Sequence, residues 1–196
     1  LMLSLQYRDP SIVHHARRVA ALSVGVAEQI GWDGRDLQIL EAACLLHDIG
    51  KVGIPDIILH KPGQLAPDEA ELMGLLYQLA GDVLQACGAD SSVVQIVTQS
   101  QYHYNGATHD FSAIGSDVHQ GARILAVADA YDSLVTSQVF REALSHEEAM
   151  DVLQRGAGSQ YDGNVISAMN RWFEFEQIPS ELQHARHDQY QLSPEE

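Results

Sequence analysis

The sequence has few cysteines and no long apolar run. Cys44 and Cys87 are its only cysteines among 196 residues, and both lie in apolar stretches, which suits reduced thiols in a core better than a disulfide framework. No apolar stretch approaches the length of a membrane span, and the N-terminus lacks the order of charged, apolar and small residues of a signal peptide. We therefore expect a cytoplasmic protein that does not associate with a membrane.

Basic side chains are also scarce. The chain has 11 Lys and Arg residues against 27 Asp and Glu residues, a net charge of −16, so nucleic acids and anionic membranes are repelled at long range. A phosphate ligand would need a metal ion or a local cluster of cations, for which the candidates are Arg17, Arg18, Lys51, Lys61, Arg123 and Arg141. The alternative is that these cations are scattered surface groups.

Strand patterns with hairpin turns are missing, whereas helical spacing of apolar residues dominates. The sequence therefore predicts an all-α fold, a bundle of about seven or eight helices. Capping residues, Gly and Pro place the predicted helices at 10–30, 36–47, 55–59, 67–87, 91–104, 117–136, 145–155 and 164–176.

The predicted domain covers residues 10–176 and is followed by a polar tail, 177–196, which we expect to be loosely held. Because the chain begins at Leu1 without an initiator methionine, we expect residues 1–9 to be a linker helix from an upstream sensory or receiver domain. Its apolar residues (Leu1, Met2, Leu3 and Leu5) fit a linker and a homodimer contact equally well.

Four residues on three predicted helices are candidates for metal ligands: His15, His47, Asp48 and Asp129. Asp129 lies on a strongly apolar helix, where an unpaired carboxylate is costly to bury, so it needs a partner. Asp132 shares its face three residues later, where it can orient a ligand, accept a proton or pair with Lys51.

Each candidate also has a structural interpretation. His15 can be a solvated helix residue beside His14, and Lys51 can cap helix carbonyls. Asp48 can simply close a helix, although the helix dipole disfavours an acid there, which favours the metal interpretation. His-Asp pairs also recur at His109-Asp110 and His187-Asp188, so the dipeptide alone is not specific.

Four longer motifs are more informative: RDPSIVHHARRVA, HDIGKVGIPDIILHKPGQL, ARILAVADAYDSL and GAGSQYDGNV. With them, residues 7–171 resemble an HD-GYP domain, a family of bacterial metal-dependent phosphodiesterases that open cyclic di-GMP. The resemblance implies an HD-type helical bundle in which His15, His47, Asp48 and Asp129 bind iron or manganese. It also implies that Lys51 and Asp132 assist at the phosphate and the attacking water, and it leaves Arg123 and Arg141 as contacts for substrate phosphate.

The sequence departs from the family pattern where a second metal would be bound. Leu76 stands at the position of a metal-binding histidine, and Ser100 and Gln101 stand at a histidine pair. The GYP triplet is replaced by Thr108, His109 and Asp110, and Ser11 stands where some members have a glutamate for a third metal. We do not expect His103, His109 or Asp110 to restore the lost ligands.

At most one divalent ion (iron, manganese or magnesium) is therefore expected, and two hypotheses follow. The favoured one is a signalling domain with an eroded cyclic di-GMP phosphodiesterase site, weak or no hydrolysis, and a regulatory or interaction role. The alternative is an active phosphohydrolase or phosphodiesterase with a single metal, acting on a cyclic dinucleotide or a nucleotide.

Overall fold

The computed structural model describes residues 1–59, 61, 63–107, 114–137 and 142–175. Across these ranges all the regular elements are helical, which confirms the predicted all-α class. The α-helices are α1 (Met2–Arg8), α2 (Pro10–Gln29), α3 (Gly34–Leu46), α4 (Asp56–Leu59), α5 (Pro67–Gly74), α6 (Leu76–Ala86), α7 (Ser91–Gln99), α8 (Gln120–Val135), α9 (His146–Arg155) and α10 (Gly163–Phe175). Two 3-10 turns cover Ile49–Gly53 and Gly115–Asp117.

Side chains that cap free backbone amides fix several helix starts. The Asp9 carboxylate accepts a hydrogen bond from the Ser11 amide at the start of α2. At α9, the Ser145 hydroxyl accepts from the Glu148 amide, and the Glu148 carboxylate accepts from the Ser145 amide. This reciprocal pair is the capping box that the sequence predicts.

Two predicted helices differ from those observed. The helix predicted over 67–87 is divided at Leu75 into α5 and α6. The helix predicted over 91–104 ends at Gln99, because the chain turns there, with the Tyr102 amide donating to the Gln99 carbonyl. The predicted tail, 177–196, lies outside the described residues.

The long helix α2 lies at the centre of the bundle and packs against α3, α8 and α10. Trp172 of α10 lies against Gly25 of α2, where a β-carbon would overlap the indole ring. The 3-10 turn Ile49–Gly53, which follows α3, packs against α6 and also contacts α1. Three elements that carry candidate ligands, α2, the end of α3, and α8, are therefore neighbours.

Within the described ranges, no helix combines the length and the apolar character that crossing a bilayer would require.

Candidate metal centre

The four predicted ligands converge at one point between α2, α3 and α8. The Nε2 atom of His15 lies 3.0 Å from Oδ1 of Asp129 and 3.9 Å from Oδ2 of Asp48. The Nε2 atom of His47 lies 3.6 Å from the same Asp48 oxygen and 3.8 Å from the same Asp129 oxygen. Two imidazole nitrogens and two carboxylate oxygens thus face each other.

Backbone geometry orients the His47 ring. His47 directly follows the last turn of α3, and its Nδ1 lies 2.7 Å from the Cys44 carbonyl oxygen. Because a carbonyl only accepts, Nδ1 carries a proton and donates it to Cys44, which leaves Nε2 to face the carboxylates of the centre. The ring is only 4% exposed, so His47 presents a fixed donor atom to the centre.

A buried carboxylate orients His15. Its Nδ1 lies 2.7 Å from Oδ2 of Asp132, which directs Nε2 toward the centre. Arg18, one turn further along α2, donates from Nε to Oδ1 of Asp132 at 2.7 Å and from Nη2 to Oδ2 at 2.9 Å. Asp132 is fully buried, and this bidentate ion pair satisfies its charge.

The donor set fits one divalent cation. His15, His47 and Asp48 form a group whose ligand atoms all lie within 4.8 Å of one another; Asp129 is outside that group and adjoins it through the two histidines, at 3.0 and 3.8 Å. With bonds of about 2.1 Å, neighbouring and opposite ligands of a six-coordinate ion are separated by about 3 and 4 Å, which brackets the distances here. Mixed imidazole and carboxylate ligands suit iron, manganese and related ions.

The carboxylates of the centre favour a proton on His15. Burial lowers the pKa of His15, but hydrogen bonds to Asp129 and Asp132 and the charges of both carboxylates outweigh burial and raise that pKa to about 9. Burial raises the pKa of Asp48, while the charges of His47, Lys51 and His15 outweigh burial and lower it. The carboxylates of this centre therefore favour a positive charge between them.

The two residues predicted to assist catalysis have different surroundings. Lys51 lies at the edge of the centre and donates from Nζ to Oδ2 of Asp48 at 2.6 Å. Asp132 contacts His15 and Arg18 rather than Lys51, so of the three roles that the sequence allowed, its contacts match the orientation of a ligand.

The cations predicted to contact substrate phosphate are not gathered at this centre. Arg123 forms an ion pair with the buried Asp162 and donates to the Val118 carbonyl, and Arg18 is engaged by Asp132. Arg141 lies outside the described residues. Among the described cations, Lys51 is the one that contacts a candidate ligand carboxylate.

The positions at which the family pattern has further histidines are partly described. Leu76 is buried at the first position of α6, against the 3-10 turn that carries Lys51. The side chains of Ser100 and Gln101 donate to the carbonyls of Val97 and Thr98 at the end of α7. Residues 108–113 and 138–141 lie outside the described part.

Sequence reasoning listed Arg18 only among the cations that could meet a phosphate, and it did not assign Tyr77 or Tyr161 to this site. Burial first, and then the charges of Asp129 and Asp48, raise the pKa of Tyr77 to about 12; burial and Asp129 also raise that of Tyr161. Both phenols therefore lie within electrostatic reach of the cluster. The position of Arg18, one helical turn after His15, was the available signal for its role.

Comparison with known proteins agrees with this geometry. The model of the HD domain family matches residues 2–165. The chain belongs to the HD domain family, and its recognition as a relative of cyclic di-GMP phosphodiesterases is confirmed.

Two curated relatives illustrate this kinship. A "Probable cyclic di-GMP phosphodiesterase" of Vibrio cholerae is 34% identical over 177 residues, covering 82% of this chain and 40% of that protein. The "Cyclic di-GMP phosphodiesterase response regulator RpfG" of Xanthomonas campestris is 30% identical over 175 residues, covering 87% and 46%. The chain thus spans less than half the length of these relatives.

Solved structures share the fold. "Bd1817, a HDG"Y"P protein from Bdellovibrio bacteriovorus" superposes with a TM-score of 0.66 at 24% identity, covering 83% of this chain and 52% of that one. The HD domain of the phosphodiesterase PgpH from L. monocytogenes, solved in complex with cyclic-di-AMP, has a TM-score of 0.62 at 13% identity and covers 100% and 99%.

Proposed function

We propose that this domain holds a single divalent metal ion and serves as a signalling module with little or no hydrolysis of cyclic di-GMP. The observation that carries the proposal is the contrast between two sets of positions. His15, His47, Asp48 and Asp129 converge with oriented donor atoms, whereas the family's further histidine positions hold leucine, serine and glutamine.

None of the three replacements offers a good metal ligand. Leucine has no donor atom, and the Ser100 and Gln101 side chains are already bonded to backbone carbonyls of α7. Neutral hydroxyl and amide groups also bind iron or manganese less strongly than imidazole. Activation of a hydroxide that bridges two metals, the general logic of two-metal phosphate chemistry, therefore lacks its second ion.

One ion at the first set would be held by His15, His47, Asp48 and Asp129. Bound there, a divalent metal supplies Lewis acidity toward a phosphate oxygen or a water molecule. Lys51 would place its ammonium beside that phosphate, at the point where it now contacts Asp48. The curated relatives carry names of cyclic dinucleotide phosphodiesterases, which supports a cyclic dinucleotide as the ligand of this domain.

A second candidate function is a phosphohydrolase with one metal, acting on a nucleotide. It is favoured by the ordered second layer of contacts, Cys44 with His47 and Asp132 with His15. Such support is typical of metal sites that perform chemistry as well as of sites that only bind.

A hydrolysis assay separates the two functions. Purified protein loaded with manganese or iron is incubated with cyclic di-GMP and, separately, with nucleoside mono- and triphosphates, beside the Asp48→Ala variant. The proposal expects no turnover of cyclic di-GMP above the level of the variant. Robust turnover that Asp48→Ala abolishes would contradict it, and turnover confined to nucleotides would establish the second function.

A further inference from the structure

The ion pair between Arg18 and Asp132 lies on the Nδ1 side of His15, whereas the carboxylates of Asp48 and Asp129 face its Nε2. The guanidinium uses Nε and Nη2 on the two oxygens of Asp132, and Nη2 also lies 3.3 Å from the Thr136 hydroxyl. The Arg18 side chain is 15% exposed. The guanidinium of Arg18 therefore holds Asp132, the residue that orients His15, and is not free to bind a substrate phosphate.

Asp132 needs this partner to perform its own role. A fully buried carboxylate that loses its counterion is strongly destabilised and turns toward another partner or toward solvent. A displaced Asp132 no longer accepts the Nδ1 proton of His15 in a fixed geometry. The direction of His15 Nε2 thus depends on the guanidinium that holds Asp132.

We infer that Arg18 is a positioning residue of the metal centre, acting through Asp132 to fix His15 with its Nε2 lone pair toward the ion. The inference rests on the proposed metal site and adds a residue to it. It also gives Asp132 the role of orienting a ligand in place of accepting a proton during the reaction.

Two possible roles of Arg18, as a positive charge or as the partner that holds Asp132, predict opposite changes in metal affinity when Arg18 is removed. If Arg18 acted only as a positive charge near the ion, its removal would tighten the binding of a cation. If it acts by holding Asp132, its removal weakens binding, because outer contacts of this kind change metal affinity by roughly 10–100-fold. Arg18→Lys keeps the charge and loses the bidentate fork.

The first experiment titrates Co²⁺ into the full chain and follows visible absorption for the wild type, Arg18→Gln, Arg18→Lys and the control Arg17→Gln, which removes an exposed neighbouring arginine. We expect the control to match the wild type, Arg18→Gln to raise the dissociation constant roughly 10–100-fold, and Arg18→Lys to fall between them. Unchanged or tighter binding by Arg18→Gln, with its melting temperature in EDTA near that of the control, would overturn the inference.

The second experiment does not need a metal. In EDTA, proton-nitrogen NMR of the imidazoles should show a protected Nδ1–H of His15 in the wild type and in Arg17→Gln, and faster exchange of that proton in Arg18→Gln. Asp132→Asn should also speed the exchange of that proton, because a neutral amide oxygen accepts a hydrogen bond less strongly than a carboxylate does. A wild type that binds no Co²⁺ but shows this proton pattern would overturn the metal site and leave the positioning by Arg18 standing. If the wild type binds Co²⁺ and the Nδ1 proton behaves alike in the wild type and both variants, the metal site would stand and positioning by Arg18 would be overturned.

Discussion

The backbone of Gly50 touches that of Leu76, so closely that a β-carbon on Gly50 would overlap the Leu76 carbonyl oxygen. Gly50 belongs to the 3-10 turn that follows His47 and Asp48, and Leu76 opens α6. The sequence pattern predicts Leu76 to stand at a metal-binding histidine of the HD-GYP family, and this position lies directly against the turn that carries Lys51.

Gly50→Ala should destabilise the fold by about 1–3 kcal/mol, because the turn and α6 must separate to admit the methyl group and neither backbone can rotate away as a side chain can. Chemical denaturation followed by circular dichroism measures the loss. Gly74→Ala is the matched control: it lies in α5 with no atom near its β position, so we expect no loss or a gain of about 0.4–1 kcal/mol. Equal effects at both positions would show that the close contact does not matter.

Restoring the histidines of the family pattern tests directly whether their replacement removed a second metal site. The triple variant Leu76→His, Ser100→His and Gln101→His should bind two metal ions per chain where the wild type binds one, since it adds imidazole donors next to an existing site. Elemental analysis after loading with iron or manganese measures the ratio. The same three changes on an Asp48→Ala background serve as the control, and a triple variant that still binds one ion would show that the scaffold has diverged as well.

The stability of the metal-free protein should depend on His15. Its pKa is raised from the usual 6.5 to about 9, so the folded state binds this proton more tightly than the unfolded chain does. The stabilisation is complete below pH 6.5 and is lost as the pH rises through about 9. We expect it to be on the order of 1–3 kcal/mol.

Urea denaturation in EDTA at pH 6 and pH 9.5 checks this dependence. The wild type and His14→Gln, which changes the exposed neighbouring histidine, should lose more stability over this interval than His15→Gln. The lowered pKa of Asp48 and of Asp132 affects stability only in acid and does not interfere. An identical loss in His15→Gln would contradict the prediction.

Arg8 connects α1 to the segment that follows Lys51. Its guanidinium donates to the carbonyls of Val52 and Ile54 and pairs with Asp56 at 2.7 Å. Arg8→Gln should lower the free energy of unfolding by about 1–3 kcal/mol. The hydrogen bonds from a charged donor are lost, and the partly buried Ile54 carbonyl is left without that donor. Arg35→Gln removes an exposed pair with Asp90 and should cost less than about 1 kcal/mol. Denaturation midpoints compare them, and an equal cost would show that the contacts of Arg8 are incidental.

The helical class was predictable because apolar residues recur with helical spacing along the chain and because α2 and α9 begin with caps that the sequence displays. The break at Leu75 was not, because Gly74 is compatible with a continuous helix, and just after the break α6 meets Gly50. That meeting is a tertiary contact between distant segments.

The candidate ligands were found through the motifs, and the structure brings all four together. The partner of Asp132 was not predictable in the same way. Helical spacing placed Asp132 on the face of Asp129, but Arg18 lies on another helix, 114 residues away. Sequence spacing predicts which residues share a face of one helix. The contacts that hold His15 and Asp132 in place are made between α2 and α8, so spacing alone does not predict them.

The most direct test of a single-metal domain is the metal content of the wild-type chain and of Asp48→Ala. Both proteins are expressed with iron and manganese supplied, and their metal content is measured by elemental analysis. We expect one ion per wild-type chain and its loss in the variant, because Asp48 is one of the four converging candidate ligands. Two ions per wild-type chain would show that a second site persists, and no ion in either protein would show that the His and Asp cluster serves only as scaffold. Either result would contradict a domain with a single metal.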